Sequence, residues 1–434
     1  MKLKNHRGTS QIAWNIVEIT DGATKADINP KRIILACGMD SPPLDVPIDD
    51  EPFQLEGLTH GKSVYDAVFV MNYHAGHGGF VERVNPDIPI YMNHETKSVL
   101  NIISDFTGSP PPRCSRLLSH GQRVVIGKGE LEILPIRLPH SAKGAMMLLV
   151  STKYHSYEKL LYTGDFTAID DAYFPLIGGV DVLLIEAANI GSTNIRKPNS
   201  KSERGVAADA ARIMRETEKP VFVLCSTTNI DRIKSIESAC RKSGRTMAMD
   251  PFMKAITDEV AHMLIVDPVG FMPDNMNYTE NPRTHKYLNT AYQNFEAVEA
   301  VSKMTNLVYM VRQTMGDFLK KLDKLSPLKG ATLLYSMWDG YENDRHTKGF
   351  LDICRSLGMK IEDSNAGCHA DRDLLEAIIN GVNPETIVPL QAKSADDITG
   401  SGLGHVTTLS NGEILGIFGS YQYEGCEIYK VDES

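Results

Sequence analysis

The sequence predicts an α/β protein built from two units, and three observations carry that prediction. Its 434 residues exceed what one ordinary core organises. Up to Asn189 the chain reads as short apolar segments broken by turn signals, the pattern of packed sheets. From about 195 to 345, apolar strands alternate with helix-period segments, the pattern of an inserted parallel sheet.

The elements follow in order. Strands are predicted over 11–19 and 32–37, the second closed by Gly38. The apolar run at 62–71 enters Asn72-Tyr-His74-Ala-Gly76-His77-Gly-Gly79, a tight turn that its glycines permit. Strands over 123–126 and 131–138 flank a Gly127-Lys-Gly hairpin signal, and 146–151 with 159–163 read as the next hairpin. The continuous apolar run 180–186 predicts a strand buried on both faces. Val206, Ala210 and Ile213 give a helix over 201–216, with Ser202 and Glu203 near its start. A strand over 220–225 precedes a helix over 229–243, with Ile230, Ile233, Ile236 and Ala239 on one face and Gly244 at its close. A strand (306–311), a helix (315–325) and a strand (331–337) complete the insertion, while 266–286, dense in proline and asparagine, reads as an irregular connection. Helices over 349–357 and 371–379, then strands over 386–390, 414–420 and 427–431, end the chain.

Composition excludes several classes. Apolar residues make up 42%, and no stretch approaches the ~20 apolar residues that span a bilayer, so no membrane partner is expected. The first residues lack the apolar core of a signal peptide, and the seven cysteines form no CxxC pair. A cytoplasmic protein with reduced thiols is the expectation. A net charge of −10 argues against an overall basic nucleic-acid surface and leaves room for a local one.

Chemistry-bearing residues recur where apolar runs end. His74 and His77 lie three apart; His140 ends 131–138 as Leu138-Pro-His140-Ser; Asp165 ends Leu161-Tyr-Thr-Gly-Asp165-Phe; Glu186 ends Leu183-Leu-Ile-Glu186. His369 lies in Gly367-Cys-His369-Ala-Asp, and Gln391 in Val388-Pro-Leu-Gln391-Ala. Each has a bland reading: turn histidines at 74 and 77, a loop cap at 140, a turn or N-cap aspartate at 165, a loop histidine at 369. Glu186 is costly to bury alone and is expected to hydrogen-bond. Asp40 reads as a turn residue, and His94 and His405 as exposed loop residues.

The ordered series resembles the metallo-β-lactamase fold and, within it, the β-CASP family of ribonuclease J-like proteins. The opening turn is similar to that fold's HxHxDH segment, with Asn72 in place of the first histidine and Gly76 in place of the aspartate. Gln391 stands where the family has a histidine, and Ala36 where it commonly has an aspartate. The resemblance implies a four-layer αββα core formed by 1–195 and 350–434, with a β-CASP domain over 196–349. It implies one metal position at Asn72, His74, His140 and Asp165, and a second at Gly76, His77, Asp165 and Gln391. Asn72 and Gln391 are weak ligands, so one tightly bound zinc ion at most is expected, or none. Metal-activated water would attack phosphorus, with Asp165, Glu186 and His369 as the catalytic set and His369 steadying the phosphate.

The implied activity is a metal-dependent phosphodiesterase or ribonuclease weakened by ligand loss. The alternatives are a non-catalytic protein that binds RNA or pairs with an active paralogue, and a one-metal hydrolase of a small substrate. A homo-oligomer is a further possibility. Arg196, Lys197, Lys201 and Arg204, with Arg232, Lys234, Arg241, Lys242 and Arg245, form either a solvated face or a wall for an RNA backbone. Trp338, beside Tyr335 and Tyr341, is a candidate for the cleft or the core.

Overall fold

The structure is a computed structural model. It describes residues 1–8, 15–21, 30–39, 53–128, 130–152, 158–189, 202–261, 268–273, 277–288, 295–338, 341–342, 344–367, 369–391, 402, 404–417 and 427–429.

Two sheets face each other in the core. One has eight strands, in the order Glu427–Tyr429, Ile414–Gly416, Lys2–Arg7, Ile16–Thr20, Arg32–Leu35, Ala67–Val70, Ile90–Met92 and Arg116–Leu117. The other has six, in the order Thr386–Leu390, Val182–Glu186, Lys159–Tyr162, Met146–Thr152, Leu131–Arg137 and Val124–Ile126. Strand periodicity explains the layering, because successive side chains point to opposite faces. Phe69 and Leu184 enter the core shared by the sheets. Their neighbours Val68 and Val70 turn outward on the first sheet, and Leu183 and Ile185 on the second. The helix His94–Thr107 covers the first outer face, and the helix Arg372–Val382 the second. The result is an αββα core, as the sequence predicts.

The insertion carries a third sheet of seven strands, every pairing parallel. Its order is Phe295–Glu296, Val269–Phe271, Thr246–Met249, Leu307–Val311, Val221–Leu224, Thr332–Tyr335, Lys360–Asp363. Helices Glu203–Glu216, Ile230–Ser243 and Pro251–Ala261 pack on one face, and Gly316–Leu325 and Arg345–Ser356 on the other. The expected boundary at 349/350 falls inside this sheet's covering layer: Phe350, Leu351 and Cys354 pack with Phe318 and Leu333, and Lys360–Asp363 pairs with Thr332–Tyr335. The same apolar cluster holds Val68 and Val70 of the core with Ile233 and Phe252 of the insertion, so the two units share packing.

Several expectations change. The region 266–286 contains a sheet strand, Val269–Phe271. His94 is exposed as expected but opens a helix, where Asn93 accepts from the Thr96 N–H at 2.6 Å and Gly108 closes with φ +75°. His405 is exposed and pairs with the Thr386 hydroxyl at 3.2 Å. Asp40 lies outside the described residues, as do Arg196, Lys197, Lys201, Cys368 and Cys426. Cys37, Cys114, Cys225, Cys240 and Cys354 are free thiols. Among the described residues no helix is long and apolar enough to cross a membrane.

Candidate metal centre

The strand Ala67–Val70 delivers Asn72, His74 and His77 to one end of the sandwich. The turn becomes a short helix, Ala75–Gly78, with His74 at its N-cap position. Gly79 is required there, because a β-carbon would lie 2.1 Å from Met39 Cγ and 2.6 Å from the Ala75 carbonyl oxygen. Asn72 is buried, and its Oδ1 accepts from the His74 backbone N–H at 2.9 Å. It therefore braces the turn, a role its place in the motif does not reveal.

His74 and His140 meet with ring centroids 5.1 Å apart. Burial pushes the His74 imidazole down to about 4, and burial followed by the neighbouring His74 holds His140 well below its usual value. Both are neutral at pH 7, the form that binds a metal. His74 Nε2 and His140 Nδ1 are buried with no hydrogen-bond partner in this structure. Thr228 of the insertion makes a backbone hydrogen bond to His74, so the insertion closes one wall.

Asp165 follows Gly164, whose φ of +58° suits glycine. Its two oxygens meet protein donors. Gln391 Nε2 donates to Oδ1 at 2.7 Å, and His77 Nε2 lies 3.1 Å from Oδ2. The His77 contact has ion-pair distance without hydrogen-bond angles, since both His77 ring nitrogens lack a hydrogen-bond partner. Burial would raise the Asp165 carboxyl, but His77, then His369 and His140, hold it well below the usual carboxylate range. Gln391 itself sits at φ +61°, with its N–H donating to the Gly8 carbonyl at 2.6 Å. Ala36 is another non-glycine residue at positive φ (+67°), and its segment is stitched to the turn by Cys37 N–H donating to the His77 carbonyl. Left-handed backbone at such residues is strained, and two of the three instances among the described residues flank this centre.

Glu186 and His369 form the adjoining pair. Glu186 Oε1 accepts from the backbone N–H groups of Phe166 (2.8 Å) and Ala370 (3.2 Å), and Oε2 lies 2.5 Å from His369 Nδ1. Burial raises the Glu186 carboxyl while His369 opposes that rise. The expectation that Glu186 is hydrogen-bonded holds. Asn189 donates to the carbonyls of His369 and Ala370 at 3.3 and 3.0 Å, a contact the sequence reading missed.

The two implied ion positions differ in the donors they offer. By donor chemistry the first position fits, since two neutral imidazoles with orphaned nitrogens and a carboxylate are a set zinc accepts, although the three are not gathered to within 4.8 Å of one another in this structure. The second does not, because Gly76 has no side chain and Gln391 points an amide donor at Asp165. Asp165, Glu186 and His369 also bring ligand atoms within 4.8 Å of one another. There Glu186 is already occupied by His369 and two amides, which argues against a cation.

The basic residues divide. Arg241 and Lys242 are exposed, Arg241 pairing with Glu237 at 2.9 Å, and Arg204 is exposed. Lys234 is half-buried. Arg245 donates to carbonyls of Met214, Lys219 and Thr217. Arg232 is wholly buried, so neither a solvated face nor an RNA wall describes it. Half-buried Trp338 meets Tyr341 edge-on at 5.2 Å, and buried Tyr335 donates to the Trp338 carbonyl.

No family model matches the sequence. The chain is 22% identical over 412 residues to ribonuclease J of Sinorhizobium meliloti, covering 88% of this chain and 69% of that protein. Ribonuclease J of Mycolicibacterium smegmatis is 22% identical over 408 residues, covering 86% and 67%. The chain thus spans about two thirds of the length of these relatives. A crystal structure of a protein of unknown function from Enterococcus faecalis V583 aligns with a TM-score of 0.71 at 20% identity, over 95% of this chain and 99% of that one, and shows the shared fold. The chain is thus ribonuclease J-like over most of its length, and its two-sheet core with an inserted parallel sheet is the architecture that the metallo-β-lactamase and β-CASP resemblance implies.

Proposed function

We propose that this chain is a phosphodiesterase of the β-CASP type acting on RNA in the cytoplasm, with one metal position and correspondingly weak turnover. The observation that carries the reading is the pair of orphaned imidazole nitrogens, His74 Nε2 and His140 Nδ1, buried beside ionised Asp165. Buried polar atoms without partners are rare and call for an explanation, such as an ion. His74, His140 and Asp165 would hold zinc. A bound zinc supplies Lewis acidity and lowers the pKa of water to near neutrality. Glu186 orients the His369 ring through Nδ1, and in its protonated form the imidazolium would bring positive charge to a phosphate oxygen.

The test is elemental analysis of purified chain, followed by RNA cleavage. One zinc per chain or less is expected, with slow cleavage that chelators and His74→Ala both abolish. Two fully occupied ions, or chelator-resistant cleavage at ~1 per second or faster, would sink the reading. A second reading, a non-catalytic RNA- or partner-binding protein, is favoured by the Gln391–Asp165 hydrogen bond, in which an amide takes an oxygen that the family would give to metal. Absence of bound metal with retained RNA affinity would select it.

A further inference from the structure

We propose that Arg232 is a positioning residue that sets His369 from inside the inserted unit. It rests on the reading of His369 as the phosphate-contacting group. The helix Ile230–Ser243 places Arg232 in its first turn, where Asn229 caps by accepting from the Arg232 N–H at 3.0 Å. The guanidinium is wholly buried and reaches both ways. Toward the insertion, Nε and Nη2 donate to Glu203 at 2.9–3.1 Å. Toward the core, Nη1 donates to Asn365 Oδ1 at 2.9 Å, and Nη2 to the Ala366 carbonyl at 2.9 Å. Nη1 also donates to the Ser336 carbonyl and hydroxyl oxygen, each at 2.7 Å, and the Ser336 hydroxyl donates to the Ser364 carbonyl at 2.6 Å.

The segment 364–366 thus hangs on Arg232 directly and through Ser336, and it ends three residues before His369. On the far side, Asn189 holds the His369 and Ala370 carbonyls. His369 is fixed between these two clamps, and its 2.5 Å contact with Glu186 tolerates little drift. A lysine could not replace this fork, because one ammonium cannot serve Glu203, Ser336, Asn365 and Ala366 in their separate directions. Glue between insertion helices would need only the Glu203 side; the loop-side contacts are what make the arginine a device of the site.

The experiment follows the imidazole N–H shared by His369 and Glu186, observed by nitrogen-15 histidine NMR and assigned by its loss in His369→Gln. It uses the full chain free of metal and RNA. In Asn365→Ala and Arg232→Lys this proton is expected to exchange with water about tenfold faster or more, reporting easier local opening. Glu203→Gln, which leaves the loop side intact, is expected to change it less. Unchanged exchange in folded Asn365→Ala and Arg232→Lys would overturn the proposal. If Arg232→Lys does not fold, Asn365→Ala decides. Because no turnover is read, failure of the nuclease reading leaves this result standing, and an unmoved His369 signal leaves the nuclease reading standing.

Discussion

Two sides of Asp165 have met the loss of metal ligands differently. On the His74–His140 side, imidazoles are neutral, buried and unpartnered. On the His77–Gln391 side, one carboxylate oxygen accepts from the Gln391 amide, while His77 Nε2 stands 3.1 Å from the other without hydrogen-bond geometry. An amide aimed at a buried carboxylate occupies an oxygen that a cation would take, but it brings no charge of its own. The contrast teaches that a changed ligand set can keep its donors open or turn one of them onto a neighbouring ligand as a hydrogen bond. One side keeps donors of a kind that binds metal, and on the other an amide hydrogen-bonds the shared carboxylate.

The largest way to break the contrast is to rebuild the closed side. The triple variant Asn72→His, Gly76→Asp, Gln391→His restores the family's donor types, the last two changes on the closed side and the first on the open one. It is expected to take up a second ion by elemental analysis and to raise RNA cleavage roughly 10³-fold, about 4 kcal/mol of barrier. Histidine is among the residues that tolerate the left-handed backbone at position 391. A folded triple variant that still binds no second ion would show that backbone shape, rather than side-chain identity, closes the position.

A buried carboxylate elsewhere supplies a control. Glu18, in the outer sheet, accepts from Arg32 Nε at 2.9 Å and faces His6 Nε2 at 2.9 Å. Burial would raise its carboxyl, but His6 and Arg32 outweigh that and lower it from 4.5 to about 2. The folded value lies below the unfolded one, so this stability is present above pH 4.5 and is lost as pH falls toward 2. Its size is on the order of 3 kcal/mol. Urea unfolding across pH 2–6 should show the advantage of the natural chain over Glu18→Gln shrinking through that window; a constant difference would refute the cationic origin.

How much of this was legible in the chain differs by kind of contact. Apolar runs ending in Asp165 and Glu186 marked strand ends, and the structure has both strands, because a buried strand must surrender its polar residue at the mouth. That His74, His140, Asp165 and His369 belong together came from their order and the family it resembles; nothing in local spacing dictates it. The helix His94–Thr107 carried readable signals, Asn93 and Gly108, that were passed over. Arg232 could not be read at all. Its neighbours Ile230 and Ile233 mark a buried face, but the acceptors that let a guanidinium be buried come from residues up to 134 positions away. Gln391 reads as a lost ligand, and only tertiary contact across 226 positions reveals it as a donor.

Gln391→Ala sharpens the contrast at smaller scale. It leaves Asp165 Oδ1 buried without its donor, which should cost about 2 kcal/mol by urea unfolding at pH 7. Added zinc should recover part of that loss in the variant and give less to the natural chain, because a freed carboxylate oxygen is a better ligand than a bonded one. Equal zinc stabilisation of both would show that Gln391 does not guard the position.

The smallest expected effect separates brace from ligand at Asn72. Its Oδ1 receives the His74 backbone N–H just ahead of a four-residue helix, a turn hydrogen bond worth about 1 kcal/mol. Asn72→Ala should lower stability by that amount and leave bound zinc unchanged, because His74, His140 and Asp165 keep their donors. If instead the alanine variant loses its zinc, Asn72 coordinates the ion, and the open side of the centre uses four protein groups rather than three.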